Sequence, residues 1–94
     1  MTIYVTHWSM TSDTTDESAY RLADKWATSW RLSWQHDRLL TREQALAGMD
    51  LAEIFSSEEY QHDAAVRVRA VVAAGLLGIP VEQVILALAL RRQA

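Results

Sequence analysis

The spacing of apolar residues along the chain begins as alternation and then changes to helical repeats. In residues 3–8, IYVTHW, the side chains of Ile3, Val5 and His7 fall on one side and those of Tyr4, Thr6 and Trp8 on the other, the period of a strand. The segment is rich in the β-branched and aromatic types that strands favour. A lone strand is not stable, and no second strand is evident in the chain. The segment is therefore either a strand completed by another molecule or an extended arm laid over helices. Met10 is a candidate second start, which would make the arm dispensable. Residues 9–15, SMTSDTT, are polar and loop-like.

From Thr14 onward the pattern predicts helices. Thr14 and Glu17 have the spacing of a capping box, and a first helix is expected from Thr15 to Arg38. Its apolar side is Ala19, Leu22, Ala23, Trp26, Trp30 and Trp34, against Arg21, Asp24, Thr28, Arg31 and Gln35, with Leu32 an exception on the polar side. A second box, Thr41 with Gln44, opens a helix from Arg42 to Phe55 with the stripe Ala45, Leu46, Met49, Ala52 and Phe55. Gly48 lies within it and permits close packing. A third box, Ser56 with Glu59, opens a helix from Ser57 to Leu77. That helix has two apolar sides. One carries Tyr60, Ala64, Val68, Val71 and Val72, and the other Val66, Ala70, Ala73 and Leu77. A helix apolar on two sides is expected to lie between other elements, which places it at the centre of the fold. Gly78 ends it, and Pro80 suits the first turn of a last helix running to Arg92. Arg91 and Arg92 complement the dipole at its C-terminal end.

The expected fold is thus all-α: one domain over residues 1–94, a small bundle of about four helices, with residues 1–13 as arm and loop and 14–94 as helices. Composition supports a core, since half the residues are apolar. A domain this short still buries a smaller share of its surface than a larger one, so association with a copy of itself or with a partner is expected. The absence of cysteine excludes disulfides, thiolate zinc sites and cysteine nucleophiles, and fits a reducing cytoplasm. The N-terminus lacks the pattern of a secretory signal. The apolar run from Val84 to Leu90 is too short to span a bilayer. The net charge of −3 argues against a role that depends on neutralising phosphates, so nucleic acid is not an expected partner.

The chemistry follows from the few patterns that stand out. Residues 70–90, AVVAAGLLGIPVEQVILALAL, have the spacing of a helix-turn-helix unit, with Ala74 at the small position, Gly78 at the turn, and Ile79 and Val84 locking the second helix. The face such a unit turns to DNA would carry Val81, Glu82, Ile85, Leu86 and Ala89. Aliphatic groups cannot read base-edge donors and acceptors, so a tight helical hairpin fits the residues better. Trp26, Trp30 and Trp34 form a slanted strip, read either as core or as a partly exposed binding surface. Trp26 and Trp30 fall nearest the stripe centre and Trp34 nearer its edge. His7, His36 and His62 stand apart, without metal-ligand spacing. No glycine-rich phosphate loop or nucleophile elbow occurs, and the acidic pairs Asp16-Glu17 and Glu58-Glu59 suit first helical turns. No catalytic, metal or cofactor residue is expected, and no cofactor.

The segment LTREQALAGMDLAEIF, residues 40–55, resembles parts of small orphan helical proteins of actinobacteria and their bacteriophages. That resemblance implies a small cytoplasmic phage protein, expressed during host takeover, that binds and blocks a host protein. The expected function is a non-enzymatic protein–protein interaction module, a homo-oligomer that also binds a cellular protein. Its expected partner-binding residues are Trp30, Leu32, Trp34, Val81, Val84, Ile85 and Leu88. The alternatives are a helix-turn-helix transcriptional regulator using residues 70–90 and a small enzyme of unrecognised type.

Overall fold

The computed structural model describes residues 2–22 and 29–92. Among them are five strands followed by four helices: β1 (Ile3–Val5), β2 (Ser9–Ser12), β3 (Ala19–Arg21), β4 (Trp30–Leu32), β5 (Gln35–Leu40), α1 (Arg42–Phe55), α2 (Glu59–His62), α3 (Ala64–Leu77) and α4 (Val81–Arg92). The strands pair antiparallel in chain order, β1-β2-β3-β4-β5. The fold is therefore α+β, which overturns the all-α expectation and, with it, the helical bundle.

The expected first helix is the main error. Where the described residues cover 15–38, they form β3, β4 and most of β5, and Trp26 lies outside the described residues. Trp30, Leu32 and Trp34 recur every second residue, and all three are buried. That is strand alternation continued into a tight turn, and Leu32, an exception on a helical wheel, belongs to it. The extended segment at residues 3–8 is likewise neither an arm nor a strand awaiting another molecule. Ile3, Tyr4 and Val5 pair with Ser12, Thr11 and Met10 of the same chain. The hairpin is closed by Thr6, whose N–H donates to the Ser9 carbonyl at 2.8 Å and whose hydroxyl accepts from the Trp8 and Ser9 N–H groups. Met10 is fully buried inside β2, so a chain beginning there would lack β1 and half of this hairpin.

The inner face of the sheet, with Met10, Ala19, Trp30, Leu32 and Leu40, packs on α1. The capping box on α1 is formed as expected: the Thr41 hydroxyl accepts from the Gln44 N–H, and the Gln44 side chain accepts from the Thr41 N–H. α1 is the central element, buried by the sheet on one side and by α3 and α4 on the other. Gly48 makes the sheet contact possible, because a Cβ there would run into the Leu32 side chain. The Trp34 indole N–H donates to the Gly48 carbonyl at 3.3 Å. Glu53, also buried, accepts from the hydroxyls of Ser12 at 2.6 Å and Thr14 at 3.2 Å and so fastens α1 to β2.

The expected helix from Ser57 to Leu77 is broken. Asp63 is extended, with φ −124° and ψ 113°, and its side chain caps α3 by accepting from the Ala65 N–H at 2.9 Å. Ser56 caps no following helix. Its hydroxyl donates to the Glu53 carbonyl at the end of α1. α3 ends at Gly78, which takes the left-handed conformation at φ 78°. Its last carbonyls also accept from Arg38 of β5, at Leu77, and from Gln44 of α1, at Leu76. α4 follows at 92° to α3. It is tied back by Arg91, whose Nε donates to both carboxylate oxygens of Glu17 at 2.9 and 2.7 Å. Glu17 in turn accepts from the Ser33 hydroxyl beside the sheet.

Candidate functional site

α3 is rich in valine and alanine on two sides, and the fold covers only one of them. Val66, Ala70, Ala73, Ala74 and Leu77 are buried. The opposite side is open: Val68, Val71, Val72 and Leu76 keep 63, 59, 60 and 55% of their surface exposed. The helix expected at the centre of the fold is therefore at its periphery, and α1 takes the central place. The two-sided pattern remains, with one side left without a covering element.

Both ends of this helix are tied by side-chain hydrogen bonds. Asp63 fixes the first turn, and Gly78, Arg38 and Gln44 fix the last. Beside the face, α1 and α3 leave an apolar groove of ≈ 590 Å³, into which Ile3 of β1 and Leu46 and Ala47 of α1 project together with Val68, Val72 and Leu76. Gly75 adds no bulk, and a Cβ there would meet nothing within 4 Å. Charges line the α1 edge, and the exposed Arg67 on the opposite flank donates to the Tyr60 and Gln61 carbonyls at 3.2 Å. Arg69 donates to Asp50 at 2.7 Å toward the start of α3, and Glu43 lies on the first turn of α1, next to the position where Gln44 reaches Leu76. An apolar surface rimmed by a few charges has the composition of an interaction surface.

The residues singled out in the sequence are placed differently. Trp30, Leu32, Trp34, Val84 and Leu88 come together in one core, with Val81 half-buried against it. Ile85 alone of that set is open, beside the exposed Leu86 and Leu90 on the outer side of α4. Trp34 is 6% exposed and has its N–H satisfied, so the edge of the expected tryptophan strip does not face solvent. The pair α3 and α4 does keep the helix-turn-helix arrangement, with Ala74 and Val84 buried at the crossing and the turn at Gly78. The outer side of α4 presents Glu82, Gln83, Ile85, Leu86, Ala89 and Leu90. Sequence reasoning missed Val68, Val71, Val72 and Leu76 as site residues because a second apolar side was assigned to the core.

Two further surfaces complete the account. On the outer face of the sheet Tyr4 and Tyr20 are exposed, and next to them Trp8 carries the Arg21 guanidinium 5.6 Å from its ring centroid and His7 edge-on at 4.7 Å. At the β1 edge, Asp13 accepts from the Thr2 N–H at 2.8 Å, and that bond holds its carboxyl below the ordinary value. Among the described residues no group of three or more His, Cys, Asp or Glu could hold a metal ion. No single helix there is long and apolar enough to cross a membrane, although α3 and α4 taken together as a bent pair match such a span in length and composition. No protein-family model, curated protein or solved structure matches the chain.

Proposed function

We propose that the protein is a non-enzymatic docking module that binds protein through the outer face of α3 and the adjoining groove against α1. The observation that carries this reading is the exposure of Val68, Val71, Val72 and Leu76 on a helix whose ends are fixed. Single exposed aliphatic residues are ordinary, but a contiguous apolar helix face rimmed by charge marks an interaction surface. The recognition mode is an apolar helix laid against a groove, with anchors at steps of four residues. The setting is the cytoplasm, in keeping with a chain without cysteine, and the resemblance of residues 40–55 to phage proteins makes a host protein one target class.

The test is a photo-crosslinking residue placed at Val72 in the intact chain, compared with one at Glu82 of α4. A discrete adduct from position 72 and none from position 82 is the expected result. A folded chain that gives no adduct at position 72 overturns the reading.

The 92° angle between α3 and α4 favours one other reading, a helix-turn-helix regulator. Its chemistry is unfavourable, because Ile85, Leu86 and Ala89 would face the bases and Glu82 the phosphates. Retardation of DNA fragments that falls steeply with added salt would favour it over docking.

A further inference from the structure

We propose that the occupant of the α3 face is a second copy of the chain, placed by a two-fold axis at Val72 so that the two α3 helices run antiparallel. The proposal rests on the docking reading and names its partner. An isologous contact requires a surface that complements itself, and the charges along the α1 edge of this face favour one orientation.

On the α1 edge of α3, Arg69 with its partner Asp50 lies at one end and Glu43 at the other, on opposite sides of Val72 along the helix axis, while Arg67 on the other flank is turned back to the Tyr60 and Gln61 carbonyls. A two-fold axis in the plane of contact and perpendicular to α3 reverses the helix direction and keeps the α1 edges on the same side. Arg69 of each copy then meets Glu43 of the other, in two equivalent contacts. An axis along α3 would place the α1 edges on opposite sides and keep Arg69 and Glu43 of the two copies out of each other's reach. Arg69 can serve two carboxylates. Its bond to Asp50 uses one nitrogen of a half-exposed guanidinium, which carries further donors. Between the charged ends, Val72 meets Val72 of the second copy, and Val68 meets Leu76. Gly75 leaves room for the backbones to approach.

Sedimentation velocity across the micromolar range, on the full chain, tests this. The wild type is expected to be a dimer, and Val72→Glu a monomer with unchanged helical circular dichroism. If that variant loses its helical signal, Leu76→Lys provides the same reading. Glu43→Arg and Arg69→Glu should each weaken the dimer by about tenfold, since each turns two attractive contacts into repulsive ones. An equimolar mixture of the two variants should recover the wild-type association, because every contact in the mixed dimer again joins opposite charges. A wild type that stays monomeric, a dimer that survives Val72→Glu, or a mixture no tighter than its components overturns the proposal. Crosslinking at Val72 separates the two levels of failure. An adduct of foreign mass with a monomeric chain leaves docking standing and removes the second copy as occupant, whereas no adduct removes both.

Discussion

At Gly48 the backbone of α1 approaches β4 so closely that Leu32 fills the space a side chain would need. Gly48→Ala should therefore destabilise the fold by about 1–3 kcal/mol, the usual cost of overpacking a core, despite the better helix propensity of alanine. Relief of that cost in Gly48→Ala/Leu32→Ala, measured by chemical denaturation, would locate the strain at this contact. Trp34 packs next to it and bonds to the same glycine carbonyl. Trp34→Ala should cost about 3–5 kcal/mol, as for other large aromatic residues emptied from a core, and a loss under 1 kcal/mol would mean the indole is not buried as described. Asp13 is a residue of the edge instead. The Thr2 N–H favours its charged form, so its folded pKa lies below the ordinary 3.8. A depressed carboxyl contributes stability that is present above the ordinary value and is lost as pH falls through the folded one. Fraying of β1 should therefore begin only below the usual carboxylate range. The chemical shift of the Thr2 amide followed through acid reports it, and a midpoint at the ordinary Asp value would show that the bond does not form.

Elements were legible where local chemistry and tertiary packing agreed. α1 has its box at Thr41 and Gln44 and its end at Phe55 as expected, because a capped helix start is set locally, but its burial extends beyond the expected stripe to Ala47, Leu51 and Ile54, while Leu46 is exposed. α4 was legible through Gly78 and Pro80 for the same reason. The sheet was not. Its β4–β5 turn, Ser33-Trp34, holds no residue with positive φ, so it lacks the Asn-Gly or Asp-Gly signal of two-residue hairpins. Tryptophans four apart satisfy a helical period, while the alternation of Trp30, Leu32 and Trp34 was hidden by reading Leu32 as a misfit. The candidate surface was half legible: both apolar sides of α3 were apparent, but no periodicity states which side the chain itself will cover. The break at Asp63 arose from competing caps. Asp63→Ala should destabilise by about 1 kcal/mol through loss of the α3 cap, whereas Glu59→Ala should stay within about 0.5 kcal/mol. Equal losses in thermal unfolding would restore the box at Ser56 and Glu59.

Across the whole molecule, the layers run from sheet to α1 to the pair α3 and α4, and that outer pair leaves apolar surface exposed, on α3 above all. If a second copy covers that surface, stability is linked to concentration, since anything that binds only the folded chain raises its melting temperature by mass action. Calorimetry should show the wild-type melting temperature rising with protein concentration and that of Val72→Glu holding constant. A wild-type value that does not move would mean that no association accompanies folding. The order of the strands bears on how the chain reaches this state. Each strand pairs with its neighbour in sequence, so the pairings join segments close along the chain, and the entropy lost in closing them is small. Chains dominated by such local pairings fold quickly. The meander cannot persist alone, however, because Met10, Leu32 and Leu40 find their apolar cover only on α1. The docking of residues 42–55 onto the sheet is therefore expected to limit the folding rate, with the Gly48–Leu32 contact in the folding nucleus. Substitutions there should slow refolding, while those on the outer side of α3 should leave its rate unchanged.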